Sequence, residues 1–382
     1  MRLGIGRWAT FGIALLFFVA TFLYSESNYG PSFGPSIAAA QQTPSGLESN
    51  PTGGNVPGGS RGNNADGTIW SNIRNGTEGT VSILDDKAAR LIQSEGQIWR
   101  NFRSGPLMKY GAWALLGIIA LLAVFFLIRG RIKIEAGNSG TTITRFALIE
   151  RIGHWTLASS FIILAISGLN TLYGRYVLLP ILGPDAFGAI SIWGKIAHNY
   201  VGFAFMVGLV MVFVMWVMNN LPTKTDVAWI FRGGGMFSKH SHPPARKFNA
   251  GQKILFWLVI VIGVSLSTTG ISLMFPFEIA LFAKTFAFLN FFGFELPTNL
   301  TVIQEMQFAQ GWHAIQAIAM IVVIIAHIYI GSVGMEGAFD AVSSGEVDLN
   351  WAREHHSIWV EELEQAEKNA EPSGDIAKTP AE

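Results

Sequence analysis

The 382-residue sequence contains no cysteine. That excludes disulfides, thiolate zinc sites, thiolate-held iron–sulfur clusters and covalent c-type haem attachment. Charge is also scarce. Asp, Glu, Lys and Arg make up 14% of the chain, against roughly 25% in an ordinary soluble protein. A soluble surface needs more than that. The 26 basic residues are balanced by 26 acidic ones, so the basic excess of a nucleic-acid binder is missing. Histidine is limited to eight. A metal here must be held by those, by Met or by oxygen.

What the chain has in abundance is apolar length. Half of it is hydrophobic, with 28 Phe and 12 Trp. Arg2 and Arg7 precede an apolar stretch from Ala9 to Tyr24, and Ser36 to Gln42 offers a small-residue cleavage site. Residues 1–40 therefore read as a secretory signal peptide or N-terminal anchor, which exports the segment after it. Residues 41–80, rich in Gly, Asn, Ser and Pro, bury too little apolar area to offset chain entropy and read as a disordered linker. Leu91, Ile92, Ile98, Trp99 and Phe102 predict a short amphipathic helix over 84–103, near the outer membrane boundary.

Five apolar stretches come next, at about 109–129, 155–173, 198–218, 254–275 and 312–334, none with an acidic residue. Each is near the ~20 residues that a hydrocarbon core requires. The expected fold class is an all-α membrane protein, a transmembrane bundle of about five spans. Arg129, Arg131, Lys133, Arg145 and Arg151 lie between the first and second stretches. Lys224, Arg232, Lys239, Arg246, Lys247 and Lys253 lie between the third and fourth. Basic loops stay cytoplasmic. The first span thus runs from outside to inside, and the C-terminal tail is cytoplasmic. In the loop 276–311, the patch Ile279–Phe294 predicts a helix lying in the outer interface, and Asn350–Glu371 a charged amphipathic helix.

Four histidines fall within or at the ends of these spans: His154, His198, His313 and His327. Ionisable residues at membrane depth are functional candidates. His313 and His327 are 14 residues apart, which turns an α-helix to within about 40° of four full turns and advances it roughly 21 Å. They share a face and differ in depth. His198 matches His313 in depth, and His154 matches His327, so one pair forms near each membrane surface. Paired imidazoles on different helices, without thiolate, suit bis-His ligation of two b-type haems. Zinc or di-iron would need convergent carboxylates, which the spans lack. The bland alternative is polar glue between helices. Gly168 and Gly202 lie on the His154 and His198 helices, respectively. Each either admits a porphyrin plane or permits close helix packing.

An electron wire also needs an exit. Lys247-Phe248-Asn249-Ala250-Gly251-Gln252-Lys253 opens the fourth span near the level of His154 and His327. Asn249 can cap that helix. Gln252 and the free backbone amides can equally donate to a quinone carbonyl.

These residues carry a resemblance. Glu150-Arg151-Ile152-Gly153-His154-Trp155 resembles the Arg-x-x-His-Trp opening of membrane cytochrome b subunits of respiratory dehydrogenases. The 247–253 segment with Phe256-Trp257, and the tail Trp351-Ala352-Arg353-Glu354-His355-His356-Ser357-Ile358-Trp359, are similar to segments of the gamma (cytochrome b) subunit of membrane-bound formate dehydrogenase. The match covers about 145–367. It implies a four-helix di-haem core with one added N-terminal span. It implies His198 with His313, and His154 with His327, as haem iron ligands. It also implies Asn249, Gly251 and Gln252 as the quinone site. The implied partners are an iron–sulfur beta subunit and a molybdenum- or tungsten-containing alpha subunit, in a bacterial inner membrane. On that reading the chain is an electron-transfer subunit and not a complete enzyme.

The expected organisation is then 1–40 leader, 41–108 periplasmic linker with a short helix, 109–144 added span and loop, 145–340 di-haem core and 341–382 acidic tail. Two other readings stay open on the residues alone. One is a cytochrome b serving a hydrogenase or another periplasmic dehydrogenase. The other is a transporter or scaffold with His as polar contacts.

Overall fold

The computed structural model describes residues 96–236, 241–276 and 278–370. The leader, the linker and most of the predicted helix over 84–103 lie outside the described residues. Five helical segments are long and apolar enough to cross a membrane: Trp99–Arg129, Leu148–Val177, Leu179–Asn220, Ala250–Met274 and Val302–Gly334. Their lipid-compatible faces are apolar; Leu127, Ile166 and Val261 are among the exposed residues. With no water in a bilayer core, backbone groups must be satisfied within each segment, which is why the spans are helices.

In chain order, α1 is Gly96–Phe102 and α2 Met108–Arg129, joined by a wider turn at Arg103–Leu107. The predicted short helix is thus continuous with the first span and not a separate element. Strand β1 is Thr142–Thr144, α3 Leu148–Val177, α4 Leu179–Trp216 and α5 Lys224–Phe231. Then come α6 Ala250–Met274, α7 Leu281–Asn290 and α8 Val302–Tyr329. The chain ends in α9 Asp340–Ser343, β2 Glu346–Asp348, α10 Leu349–His355 and α11 Ser357–Ala370.

Three features depart from the sequence expectation. The stretch between the second and third apolar runs is helical, not a loop. The chain only breaks at Gly183, whose φ of 76° a side chain resists, and Pro184 restarts the helix. His198 therefore lies 19 residues inside α4 (179 to 198), and His313 lies 11 residues inside α8 (302 to 313). The tail is two helices, not one, parted at His356. A small antiparallel ribbon joins β1 to β2, pairing Ile143 with Val347. Three-residue strands carry too little periodicity to be read from sequence.

The described residues fall into two compact units: 96–104 with 272–310, and 105–271 with 311–370. In the first, both carboxylate oxygens of Glu305 accept the Phe282 and Ala283 N–H groups at 2.7 and 2.6 Å, capping α7. Phe282 stacks on Phe308 with ring centroids 5.6 Å apart.

The second unit holds the bundle. Helices α3 and α4 approach closely at Gly208, where a Cβ would sit 2.7 Å from the Leu157 nitrogen. Helix α2 is tied in by the Tyr173 hydroxyl, which donates to the Met108 carbonyl at 3.0 Å, and by Phe125 edge-on to Tyr329. Below α3, Arg151 and Trp155 donate to the carbonyls of Ser343 and Val342. Both residues of the Arg-x-x-His-Trp motif thus clamp the chain beyond α8 to the start of α3.

Candidate functional site

The bundle brings four imidazoles into two pairs. His198 on α4 and His313 on α8 have ring centroids 6.2 Å apart and planes at 64°. His154 on α3 and His327 on α8 have centroids 6.3 Å apart and planes at 70°. Two imidazoles on opposite sides of one metal ion sit at metal–nitrogen distances of about 2.0 Å, with ring centres about 1.1 Å further out, giving centroids about 6.2 Å apart. Either pair fits that spacing. Among the described residues, no group of three or more His, Asp or Glu is placed to hold a metal ion. Each pair is therefore a two-ligand donor set, which suits a metal whose other four positions are filled by a planar macrocycle.

The first pair is held by hydroxyls. Ser167 Oγ donates to the Ile163 carbonyl at 2.7 Å, as a buried helical Ser commonly does. Its single hydrogen is committed there, so the 2.8 Å contact with His198 Nδ1 must be imidazole N–H to hydroxyl oxygen. Thr269 Oγ1 likewise donates to the Ser265 carbonyl at 2.8 Å and accepts from His313 Nδ1 at 2.9 Å. Both rings are thereby fixed in the tautomer with a bare Nε2, the state a metal ligand requires.

Each hydroxyl is followed by a glycine. A Cβ on Gly168 would meet only His198 Cε1, at 3.6 Å, and one on Gly270 only His313 Cε1, at 3.7 Å. A Cβ on Gly202 would meet nothing. None of the three serves close helix packing. They leave room beside the imidazoles instead. Ser167, Thr269 and Gly270 are absent from the sequence-predicted site. Their signal was a small hydroxyl residue followed by Gly, twice, inside spans of bulky side chains.

The second pair is differently furnished. His154 Nδ1 is buried without a hydrogen-bond partner. Its ring lies edge-on to Trp155 at 5.4 Å and 6.5 Å from Trp216. Trp216 continues to Phe248 at 5.4 Å and to Phe146 at 5.1 Å. This aromatic layer leads from His154 to the mouth of α6. The Trp216 indole N–H donates to Glu150, whose carboxylate also takes Lys247 Nζ at 2.8 Å.

At that mouth, Asn249 Oδ1 accepts the Gln252 N–H at 2.9 Å, and Gln252 Oε1 accepts the Asn249 N–H at 3.0 Å. This is a reciprocal cap. It uses the carbonyl ends of both side chains, so their carboxamide N–H groups are the donors available to a ligand. A Cβ on Gly251 would press on Trp229 at 3.0 Å.

The remaining described histidines stand apart from the two pairs. His242 bonds Glu135 at 2.7 Å. Burial holds the His355 imidazole down to about 4, against the pull of the Glu354 carboxylate. His356 is buried and bonds the Arg246 carbonyl through Nδ1 at 2.6 Å. Burial and the Arg145 charge push its imidazole well below the usual range. His356 thus seats the tail as a neutral ring.

Comparison with known proteins agrees with this architecture. The model of the prokaryotic cytochrome b561 family matches residues 145–343, which contain both pairs. The cytochrome b556(fdo) subunit of formate dehydrogenase from Escherichia coli is 30% identical over 232 residues, 60% of this chain and 98% of that one. The nitrate-inducible cytochrome b556(Fdn) subunit of the same species is 29% identical over 231 residues, 60% of this chain and 95% of its own. The formate dehydrogenase cytochrome b556 subunit of Haemophilus influenzae is 27% identical over 259 residues, 65% and 95% of the two chains. With the family match spanning both histidine pairs and the bundle that holds them, the chain belongs to the prokaryotic cytochrome b561 family, as a multi-pass membrane cytochrome b of electron transport related to the formate dehydrogenase cytochrome b556 subunits.

Proposed function

We propose that this chain is the membrane electron-transfer subunit of a formate dehydrogenase, carrying electrons from a periplasmic iron–sulfur subunit to a quinone on the cytoplasmic side. The observation that carries the reading is the two imidazole pairs, 6.2 and 6.3 Å between centroids, set at different depths of one bundle. His198 with His313, and His154 with His327, would each hold one haem b. Bound haem b supplies reversible one-electron transfer at its iron.

The protein's own groups do the rest. Ser167 and Thr269 hold protons on the Nδ1 atoms of His198 and His313 and so aim each Nε2. Trp216, Phe146 and Phe248 keep water from the space between His154 and the α6 mouth. Asn249 and Gln252 would donate carboxamide N–H groups to the quinone carbonyls. Gly251 would let the headgroup approach the backbone there.

The sides are set by charge. The segments 129–151 and 224–253 carry eleven basic residues, which puts the α6 mouth and the tail in the cytoplasm. The His198–His313 pair then faces the periplasm, where the cysteine-free chain needs a partner to deliver electrons. Formate would be oxidised on a molybdenum- or tungsten-containing alpha subunit. Uptake of protons from the cytoplasm at the quinone would make turnover electrogenic.

The deciding measurement is a reduced-minus-oxidised visible spectrum of the purified protein, followed by redox titration. Two b-type components are expected, and formate should reduce both in the assembled complex. Absence of b-type bands would end the reading.

A further inference from the structure

Arg145 lies just after β1 and is 3% exposed. A guanidinium so enclosed is ordinarily matched by a carboxylate, because an unpaired buried charge is expensive to desolvate. Here no carboxylate lies within ion-pair distance of it among the described residues; the bridges of this region are Lys247 with Glu150 and Lys253 with Asp226. Its Nε and Nη1 are buried with no hydrogen-bond partner. Three aromatic rings cage the cation instead: Trp351 at 5.0 Å, Phe146 at 5.4 Å and Trp359 at 5.6 Å. Two of the three come from the tail helices α10 and α11, whose seating by His356 thereby closes the cage.

The one nitrogen with partners points at the α6 mouth. Nη2 donates to the Lys247 carbonyl at 2.7 Å and to Gln252 Oε1 at 3.4 Å. Gln252 Oε1 already accepts the Asn249 N–H. With its oxygen held from two sides, the carboxamide has one orientation, and its Nε2 is turned away from the guanidinium. Burial lowers the guanidinium to about 9, with the Glu150 charge opposing. It remains cationic at neutral pH.

We propose that Arg145 is the positioning residue of the quinone site, a caged cation that locks the Gln252 carboxamide and offsets the negative charge that builds on the quinone oxygens during reduction. This rests on the reading of Asn249 and Gln252 as quinone donors. The reaction takes one quinone, two electrons from the donor dehydrogenase and two protons from cytoplasmic water to one quinol, forming two O–H bonds. Electrons that arrive ahead of protons leave charge on oxygen, and a fixed, dry cation nearby stabilises it without reorganising. The aromatic cage keeps the cation from being screened by water.

The test uses the assembled complex with formate as donor and a water-soluble naphthoquinone as acceptor. Arg145→Gln, Arg145→Lys and Gln252→Ala are compared by KM, kcat and redox titration of the b-type components. Arg145→Gln should raise KM by about tenfold or more. It should also lower the potential of the component lost in His154→Ala, while leaving the other in place. Arg145→Lys should restore the potential, because the charge returns, but not KM, because the planar fork does not.

If Gln252→Ala raises KM while Arg145→Gln changes neither KM nor either potential, Arg145 only packs the tail and this inference is overturned. If Gln252→Ala and Asn249→Ala both leave KM unchanged, the quinone site itself is misplaced and the inference goes with it. Should Arg145→Gln fail to assemble, Arg145→Lys decides: a raised KM with unchanged potentials supports the role, and an unchanged KM overturns it.

Discussion

The two histidine pairs share a spacing and differ in almost everything around it. At His198 and His313 both Nδ1 atoms donate to hydroxyls that are themselves anchored to helix carbonyls, and each ring faces a glycine. At the other end His154 Nδ1 has no partner, and the ring is wrapped by Trp155 and Trp216. A pair steered by hydrogen bonds holds its geometry through chemistry. A pair steered by packing holds it through shape. The first kind tolerates a polar, wetter end of the bundle. The second keeps a charge carrier dry next to the aromatic layer that leads to Asn249.

The largest test of this contrast is removal of the ligands. His198→Ala and His154→Ala should each abolish one of two b-type components and leave the other, read from spectra and haem content. If His198→Ala keeps both, the pairing is wrong.

Next is the space beside the rings. Gly270→Leu should strip the component that His313→Ala strips, because the added side chain fills the room next to His313. The same change at Gly202, which faces open space, should have a smaller effect.

Smaller again is loss of a hydroxyl. Ser167→Ala or Thr269→Ala should weaken retention of that same component by roughly tenfold, the usual cost of losing a ligand's outer partner. The His154–His327 component should be unmoved.

The smallest effect is acid. Burial would raise the Asp226 carboxyl, but hydrogen bonds from Lys253 and Thr223 outweigh it and hold it below 3.8. A depressed carboxylate contributes stability above its unfolded value and loses it as pH falls through the folded one. Amide exchange in Lys224–Phe231 should therefore quicken only below pH 3.8, while the helix around Lys195, whose ammonium bonds neutral Asn199, shows no such step.

How much of the site is legible in the sequence differs from residue to residue. The four histidines are, because the 14-residue spacing on one helix and the matching depths on two others are one-dimensional facts. The spans are legible for the same reason. The helix through Gly183 and Pro184 is not, because both residues usually punctuate a chain and here only kink it. The cap between Asn249 and Gln252 is half legible; its carbonyl ends are foreseeable, but the donation from Arg145 is not. Ser167 and Thr269 escape notice because a helical hydroxyl ordinarily satisfies itself on its own carbonyl.

The sequence by itself determined that this protein lives in a membrane, carries its chemistry on histidine and cannot build a thiolate-held cluster. Composition and periodicity suffice for that, since hydropathy, charge placement and the absence of cysteine need no third dimension. Only the tertiary structure decided which neighbour each imidazole has. It alone set Ser167 against His198, set Thr269 against His313, and closed a cage of Phe146, Trp351 and Trp359 around Arg145. Those contacts join residues up to 214 positions apart (145 to 359). Helix packing and the seating of the tail bring such residues together, and no local pattern encodes them.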